Sequence, residues 1–340
     1  MERTKNPFVG AIREIRGYIP VANMDTGLLD DFFKGDARAL ARVITRVENR
    51  SANSLEILRQ LFPKTGQSLV IGVTGSPGVG KSSLVDRLAV AYRQQDRKIG
   101  IIAVDPSSPF TGGAILGDRI RMQTLGVDPD VFIRSMATRG NLGGLAAATA
   151  DVVTVLDAAG KKPIIVETVG VGQDEIEIAR LADVSLVVLV PGMGDDIQAL
   201  KAGIMEIGDI FVINKCDRPG VEKMERAIVT MLSLAHRHDN WTPSIVKTIA
   251  TQGEGITELV EKIDACRQFF ESSAVRAEKR REAARQRLMT QLQERLVSTA
   301  LQQVFSNGDL DRIAGEIADR KQDPYSIVDR IVRDAKFGRP

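Results

Sequence analysis

Three glycines, a lysine and a serine at fixed spacing form the stretch of this sequence that is best suited to chemistry. The stretch matches the pattern G-x-x-x-x-G-K-[ST] of phosphate-binding loops, and its predicted nucleotide contacts are Gly75, Ser76, Pro77, Gly78, Val79, Gly80, Lys81, Ser82 and Ser83. Glycine lets the backbone turn so that several N–H groups, together with the N-terminus of the next helix, point at phosphate oxygens. Lys81 can then reach the outer phosphates, and the Ser82 hydroxyl can bind magnesium.

The residues on either side of this loop agree with that interpretation. The apolar run from Leu69 to Val73 predicts a buried parallel strand, and apolar residues after position 83 recur at helical spacing. A phosphate-binding loop requires this order of strand, loop and helix. The sequence therefore predicts a nucleotide site rather than a glycine-rich turn without function.

Acidic residues that follow predicted strands are candidate magnesium ligands. Asp105 ends the second predicted strand, Asp118 follows a glycine-containing loop, and Glu167 begins the run Glu167-Thr-Val-Gly170. A carboxylate beside a triphosphate would repel it unless it bound magnesium directly or through water. Asp105 and Asp118 could instead cap a helix or a turn. The predicted metal ligands are Ser82, Asp105, Asp118 and Glu167.

The residues around Gly170 bear on the rate of hydrolysis. The Gly170 amide can sense the terminal phosphate, but the next residue is Val171, where small GTPases carry a glutamine that orients the attacking water. Valine cannot hydrogen-bond, so we expect unassisted hydrolysis to be slow, with Gln173 or a partner-induced rearrangement as the substitute. The predicted catalytic residues are Lys81, Glu167 and Gln173.

A second motif, Asn214-Lys215-Cys216-Asp217, predicts which base is bound. Asp217 can accept two hydrogen bonds from guanine N1–H and N2–H, whereas adenine offers no such pair of donors. Asn214 is expected to brace the loop, and the stem of Lys215 can lie along the purine. After the last predicted strand, the Ala250 amide is expected to meet guanine O6. The predicted base contacts are Asn214, Lys215, Asp217, Ile249, Ala250 and Thr251, and the predicted nucleotide is GTP or GDP.

Strand and helix patterns alternate from position 69 onward. This alternation predicts an α/β fold, a mainly parallel sheet of the P-loop NTPase type with helices on both faces. The predicted strands are 69–73, 99–104, 131–134, 163–167, 185–190, 210–213 and 244–248. The predicted helices between them are 117–125, 143–159, 173–182, 196–206, 221–238 and 255–271.

Helical segments are predicted at both ends of this domain. The predicted divisions are an N-terminal arm at 1–23, a helical lead-in at 24–66, the nucleotide domain at 67–272 and a C-terminal helical arm at 273–340. In the C-terminal arm, Leu288, Leu292 and Leu296 recur at four-residue steps along a long charged helix. Such a stripe needs a cover. A last pair of predicted helices, 310–317 and 327–332, can supply only part of it, and we expect the stripe to form a homodimer.

Composition narrows the function classes. The 340 residues are 43% hydrophobic, and 46 Lys and Arg nearly balance 44 Asp and Glu, so nothing in the charge indicates nucleic acid. Two cysteines cannot form a disulfide framework, and the apolar run from Val184 to Val190 is too short to cross a bilayer. With no leader pattern at the N-terminus, we expect a cytoplasmic protein without membrane or nucleic-acid partners.

Together these motifs resemble the MeaB/ArgK family of G proteins, which includes relatives of the human methylmalonic aciduria type A protein. The resemblance rests on G-S-P-G-V-G-K-S, A-V-D-P-S-S-P-F-T-G-G-A-I-L-G-D-R-I-R-M, V-E-T-V-G-V-G-Q, G-D-D-I-Q and N-K-C-D. It implies a homodimeric GTPase that chaperones an adenosylcobalamin-dependent acyl-CoA mutase, typically methylmalonyl-CoA mutase, by gating cofactor delivery and protecting the mutase. The sequence departs from the family at Asn141, which is often His, and at T-I-A-T, where S-A-L is usual.

Several assignments stay open at the level of sequence. Asp195 and Asp196 belong either to a nucleotide-responsive loop or to a helix cap, and Arg139 either faces phosphate or is solvated. One alternative function is a metallochaperone GTPase for metal-centre assembly, although His236 and His238 are better interpreted as surface residues than as metal ligands. A second alternative function is that of a nucleotide-sensing interaction module that does not hydrolyse the nucleotide.

Overall fold

The computed structural model describes most of the predicted elements. The described residues are 26–51, 53–105, 125–137, 144–168, 181–192, 207–234, 237, 239–272, 274–304 and 309–334. The predictions that fall outside them concern segment 1–23, most of the helices 117–125, 173–182 and 196–206, and Asp118, Arg139, Asn141, Gly170, Val171, Gln173, Asp195, Asp196, His236 and His238.

A seven-stranded parallel sheet forms the centre of the molecule. Its strands are β1 (Val70–Thr74), β2 (Ile99–Asp105), β3 (Val131–Ala137), β4 (Ile164–Glu167), β5 (Val184–Leu189), β6 (Ile210–Asn214) and β7 (Ser244–Thr248). The order across the sheet is β3-β2-β4-β1-β5-β6-β7, and every neighbouring pair is parallel. The predicted α/β fold is confirmed, and each predicted strand is present.

The largest shift of a strand end occurs at β3. The sequence predicted that this strand would end at Arg134, and the next residue is the polar Ser135. In the structure its ladder with β2 continues to the pair Asp105 and Ala137, and Met136 is buried. Pairing with a neighbouring strand thus outweighs the local polarity.

Helices cover both faces of the sheet, because its central strands are apolar on both sides. Every residue of β1, β4, β5 and β6 is buried. Helix α4 (Lys81–Arg93) and helix α7 (Ile256–Ser272) pack on one face. On the other face lies α5 (Gly144–Ala158), while α6 (Val221–Leu234) covers the part of the sheet around β5 and β6.

The N-terminal lead-in joins the core on the α5 side. It comprises α1 (Thr26–Phe33), α2 (Ala37–Glu48) and α3 (Ser54–Leu61), whose apolar residues share one buried cluster with α5. Asp36 caps α2, since its carboxylate accepts a hydrogen bond from the Ala39 amide at 2.6 Å. A buried ion pair between Glu48 and Arg134 ties the end of α2 to β3.

Polar contacts hold the C-terminal arm against the domain. The arm comprises α8 (Ala274–Val304), α9 (Asp309–Ala318) and α10 (Pro324–Asp334). Three residues of α8 spaced seven apart, which places them on one helix face, make these contacts. Arg280 donates to the Gly66 carbonyl at 3.4 Å, Arg287 donates to Asp151 at 2.9 Å, and Glu294 pairs with Arg50 at 2.8 Å.

A different face of α8 carries the apolar stripe that the sequence indicated. Leu288, Leu292 and Leu296 are 65%, 46% and 40% exposed, and Met289 and Val297 are exposed beside them. The described part of the same chain therefore covers these five side chains only in part. Among the described residues, no helix has the length and apolar character needed to span a membrane.

Candidate nucleotide-binding site

The turn between β1 and α4 has the conformation that its glycines allow. Gly75, Gly78 and Gly80 have φ angles of 140°, 83° and 96°, in the region that side chains disfavour. A Cβ at Gly75 would collide with the backbone carbonyl of Val188 on β5, and one at Gly80 would lie 2.5 Å from the Asn214 side-chain nitrogen. Glycine is thus required at positions 75 and 80 by close approach as well as by φ.

Lys81, the first residue of α4, folds back over this loop. Its side chain is buried, and its Nζ donates hydrogen bonds to the carbonyl oxygens of Gly75 at 2.6 Å and Ser76 at 3.1 Å. The ammonium group is therefore held against the loop backbone. A cation in this position, beside glycine amides and a helix N-terminus, can stabilise an anion such as phosphate.

The structure brings together two of the predicted magnesium ligands. The Ser82 hydroxyl donates to Glu167 Oε1 at 2.7 Å, although the two residues are 85 positions apart in the chain. This contact is possible because β4 lies directly beside β1, with Glu167 paired to Val73. A hydroxyl and a carboxylate are oxygen ligands of the kind that magnesium prefers, so this pair fits the ion.

Asp105 is placed near these ligands along the sheet. It is the last residue of β2, which is the other neighbour of β4, and Ala103 pairs with Glu167. The carboxyl ends of β1, β2 and β4 therefore meet at one edge of the sheet, as expected for a binding site in a parallel sheet.

The second motif is joined to the phosphate loop by side-chain hydrogen bonds. Asn214 Nδ2 donates to the Val79 carbonyl at 2.9 Å, and Lys215 Nζ donates to the Gly78 carbonyl at 2.8 Å. Lys215 itself has a φ of 58°, which turns the chain sharply after β6. Asp217 follows in this turn with its side chain exposed. The loop and the motif consequently form one continuous site.

Asn214 also organises the segment after β7. Its Oδ1 accepts hydrogen bonds from the Ala250 amide at 3.0 Å and from the Thr248 hydroxyl at 3.1 Å. The sequence predicted that the Ala250 amide meets guanine O6, whereas in this structure that amide donates to Asn214. Its contact with the base stays a prediction.

The neighbouring residues of that segment are held by the backbone and by α4. The Ile249 amide donates to the Glu254 carbonyl at 3.2 Å, and Arg87 of α4 donates to the Thr251 carbonyl at 3.1 Å. Sequence reasoning missed Arg87, because an exposed arginine on a helix carries no pattern that indicates a contact across the molecule.

Sequence reasoning also missed a hydrogen bond between the hydroxyls of Thr168 and Thr74, at the ends of β4 and β1.

Cys216 lies within the second motif, and its side chain is half-buried. Its thiol donates to the Ile213 carbonyl at 3.0 Å, and burial raises the pKa of this thiol. Because a thiol with a raised pKa stays protonated at neutral pH, Cys216 is suited to packing rather than to nucleophilic chemistry.

Comparison with known proteins identifies the family that shares this site. The family model described as "Methylmalonyl Co-A mutase-associated GTPase MeaB" matches residues 40–304. The chain belongs to the MeaB family. The resemblance seen in the sequence motifs is thereby confirmed, and the match includes both motifs of the site.

MeaB-family relatives align over most of the chain. A Pyrococcus abyssi protein that bears the provisional name of a GTPase is 46% identical over 90% of this chain and 95% of its own length. The GTPase ArgK of Escherichia coli is 35% identical over 82% of this chain and 86% of its own. A solved structure entitled "Crystal structure of LAO/AO transport system kinase" superposes with a TM-score of 0.68 and 25% identity, and covers 92% of this chain and 98% of that one.

The metallochaperone alternative gains no support from the described residues. Among them, no group of three or more His, Cys, Asp or Glu side chains is arranged to hold a metal ion. His236 and His238 lie outside these residues. That alternative stays a hypothesis of the sequence.

Proposed function

We propose that this MeaB-family GTPase binds a guanine nucleotide with magnesium and hydrolyses GTP slowly until a partner protein stimulates it. The observation that carries this proposal is the set of hydrogen bonds that joins Ser82 to Glu167, Val79 to Asn214 and Gly78 to Lys215. These contacts connect the proposed phosphate site and the proposed base site at one edge of the sheet, as binding of a nucleoside polyphosphate would require.

Each group in the site has a proposed role. The amides from Gly75 to Ser83 cradle the phosphates, and Lys81 exchanges its loop carbonyls for phosphate oxygens. Ser82 and Glu167 hold the magnesium ion, with Asp105 and Asp118 as direct or water-mediated ligands. When bound, the ion neutralises negative charge on the terminal phosphates. Asp217 selects guanine. The Gly170 amide senses the terminal phosphate, and Gln173 orients the attacking water.

We propose an adenosylcobalamin-dependent acyl-CoA mutase as the partner, and methylmalonyl-CoA mutase in particular. The family description links such proteins to that enzyme. In this proposal the nucleotide state gates the loading of cobalamin and protects the mutase from inactivation, in the cytoplasm, without membrane or nucleic-acid partners. Val171, which cannot orient water, supports a need for assistance from a partner.

Single-turnover hydrolysis tests the proposed coupling. With GTP bound, adding methylmalonyl-CoA mutase is expected to raise the hydrolysis rate at least about tenfold, because a partner can supply the missing water-orienting or charge-stabilising group. The same mutase preparation mixed with the Lys81→Ala variant serves as the control for contaminating phosphatase. A rate that the mutase leaves unchanged would exclude stimulated turnover.

We further propose that the apolar stripe of α8 pairs with a second copy of the chain. The stripe lies away from the helix face that docks on the domain through Arg280, Arg287 and Glu294. Docking and pairing can therefore occur at the same time. Exposed leucines on a helix, if left uncovered, would favour association.

A charge placed in this stripe is expected to dissociate the dimer. Leu292→Glu should shift the mass measured by light scattering at micromolar concentration from dimer to monomer, because an unpaired carboxylate would be buried in an apolar contact. Gln286→Glu adds the same charge at an exposed position of α8 outside the stripe and should leave the mass unchanged. A Leu292→Glu variant that stays dimeric would place the contact elsewhere.

A further inference from the structure

Two threonine hydroxyls meet in the interior of the molecule at neighbouring strand ends. Thr74 is the last residue of β1, and Thr168 directly follows the last residue of β4. Thr168 Oγ1 donates to Thr74 Oγ1 at 3.1 Å, and the two residues are 3% and 2% exposed. The Thr168 amide continues the sheet ladder by donating to the Val73 carbonyl at 3.0 Å.

The position of this pair relates it to the phosphate loop. The loop begins directly after Thr74, at Gly75, and Ser82 lies just beyond its end. Ser82 donates to Glu167, and Thr168 donates to Thr74, so two consecutive residues at the end of β4 contact both ends of the loop. The end of β4 thereby closes a ring of contacts around the loop.

We propose that Thr168 is a positioning residue for GTP hydrolysis. Its hydroxyl fixes the end of β4 against the start of the phosphate loop, and this holds the Glu167 carboxylate at the Ser82 hydroxyl. The inference rests on the function proposed above, in which Ser82 and Glu167 hold magnesium. In this inference, the uncharged Thr168 side chain affects the affinity of the site for magnesium.

The geometry explains why a side chain is needed at this point. Glu167 is the last residue of β4 that pairs with β1, opposite Val73. Beyond this pair β1 turns away at Gly75, whose φ is 140°. The Thr168 amide already donates to the Val73 carbonyl, and the side-chain bond from Thr168 to Thr74 adds a second connection at the same residue. Two connections at Thr168 restrict displacement of the adjacent Glu167 carboxylate more than the backbone bond alone does, and small displacements of catalytic groups reduce rates strongly.

A purely structural role would give a different pattern of effects. A buried hydroxyl that only fills the core would change stability when replaced, with equal effects on all nucleotide complexes. A positioning residue changes the properties that depend on magnesium and leaves nucleotide binding without magnesium unchanged. The experiment therefore compares these two properties in the full-length protein.

Thr168→Val keeps the shape of the side chain and removes its hydroxyl. We expect this variant to lower kcat about tenfold, with KM for GTP within about twofold of wild type, since one hydrogen bond that acts in positioning is lost. The gain in GDP affinity on adding magnesium, measured at equilibrium by fluorescence titration with and without chelator, should shrink severalfold. GDP affinity in chelator should not change.

Three further comparisons complete the test. Thr168→Ser, which retains the hydroxyl, should restore kcat to within about threefold of wild type. In a Thr74→Val background, Thr168→Val should lower kcat by less than about twofold, because the shared bond is already absent. Thr154→Val removes another buried hydroxyl, on α5 and away from the site, and should leave kcat and the magnesium effect unchanged.

The outcomes separate this inference from the proposed function. Three results would each overturn the role of Thr168: wild-type kcat and magnesium dependence in Thr168→Val, no rescue of kcat by Thr168→Ser, or full additivity with Thr74→Val. None of these results would affect the conclusion that the wild type hydrolyses GTP. Absence of GTP hydrolysis by the wild type would overturn the proposed function, and this inference with it. Should Thr168→Val fail to fold, Thr168→Ala provides the same comparison.

Discussion

Replacing Lys81 by alanine is expected to lower the rate of GTP hydrolysis by about 10²–10³-fold, the loss typical when one preorganised charge-stabilising group is removed. Lys81 is buried, and its Nζ is held by the carbonyls of Gly75 and Ser76 at 2.6 and 3.1 Å. Its side chain is 6% exposed, so its charge should be weakly screened by solvent when a phosphate is bound beside it. Phosphate release under single-turnover conditions at saturating GTP measures the effect.

A second lysine provides the control for this variant. Lys262 is exposed on α7, outside the site, so Lys262→Ala removes the same side chain without touching the phosphate loop. It should hydrolyse GTP at the wild-type rate. Wild-type turnover in Lys81→Ala would contradict the assignment of the loop, provided that urea unfolding shows both variants to be folded.

The strands were predictable because their sequences agree with their surroundings. β1 and β6 are short apolar runs that end at polar residues, and in a parallel sheet covered on both faces such runs are buried on both sides. β3 extends past its apolar run because β2 provides backbone partners up to Ala137. That information lies in the partner strand, so the local sequence could not supply it.

The contacts between motifs depend on a feature of the sheet that the sequence does not state. The motifs could be placed at strand ends from their order in the chain, and parallel strands bring those ends to one edge. Which ends are neighbours depends on the order of the strands, and β4 lies between β1 and β2. Because β4 lies beside β1, two hydrogen bonds become possible, from Ser82 to Glu167 and from Thr168 to Thr74.

The docking of the C-terminal arm on the domain also could not be predicted in full from the sequence. The apolar stripe of α8 could be recognised from its four-residue period. The polar residues of the docked face, Arg280, Arg287 and Glu294, stand in a helix rich in charge, where no pattern separates a solvated arginine from one that pairs with Asp151. Burial raises the pKa of Asp151, while the nearby charges of Arg287 and Arg50 oppose the shift. These charges are brought together only by folding, so the local sequence does not indicate the contact.

Asp217→Asn is expected to lower GTP affinity by about 10²–10⁴-fold, the equivalent of about 3–6 kcal/mol for two hydrogen bonds to a charged group. A carboxylate accepts from both N1–H and N2–H of guanine, whereas an amide accepts one hydrogen bond and presents a donor to the other position. Xanthine has an oxygen in place of the guanine N2 amino group, so the amide should pair with it and affinity for xanthosine triphosphate should rise.

Calorimetric titration with GTP, ATP and xanthosine triphosphate measures this exchange. Asp311→Asn, at an exposed position of α9 outside the site, is the matched control and should keep the wild-type preference for GTP. Asp217→Asn should leave phosphate binding unchanged, because the bonds that join the motif to the loop, 2.9 Å from Asn214 and 2.8 Å from Lys215, do not involve the Asp217 side chain. Equal loss of GTP and xanthosine triphosphate binding would therefore indicate a collapsed loop, and unchanged GTP binding would remove Asp217 from base recognition.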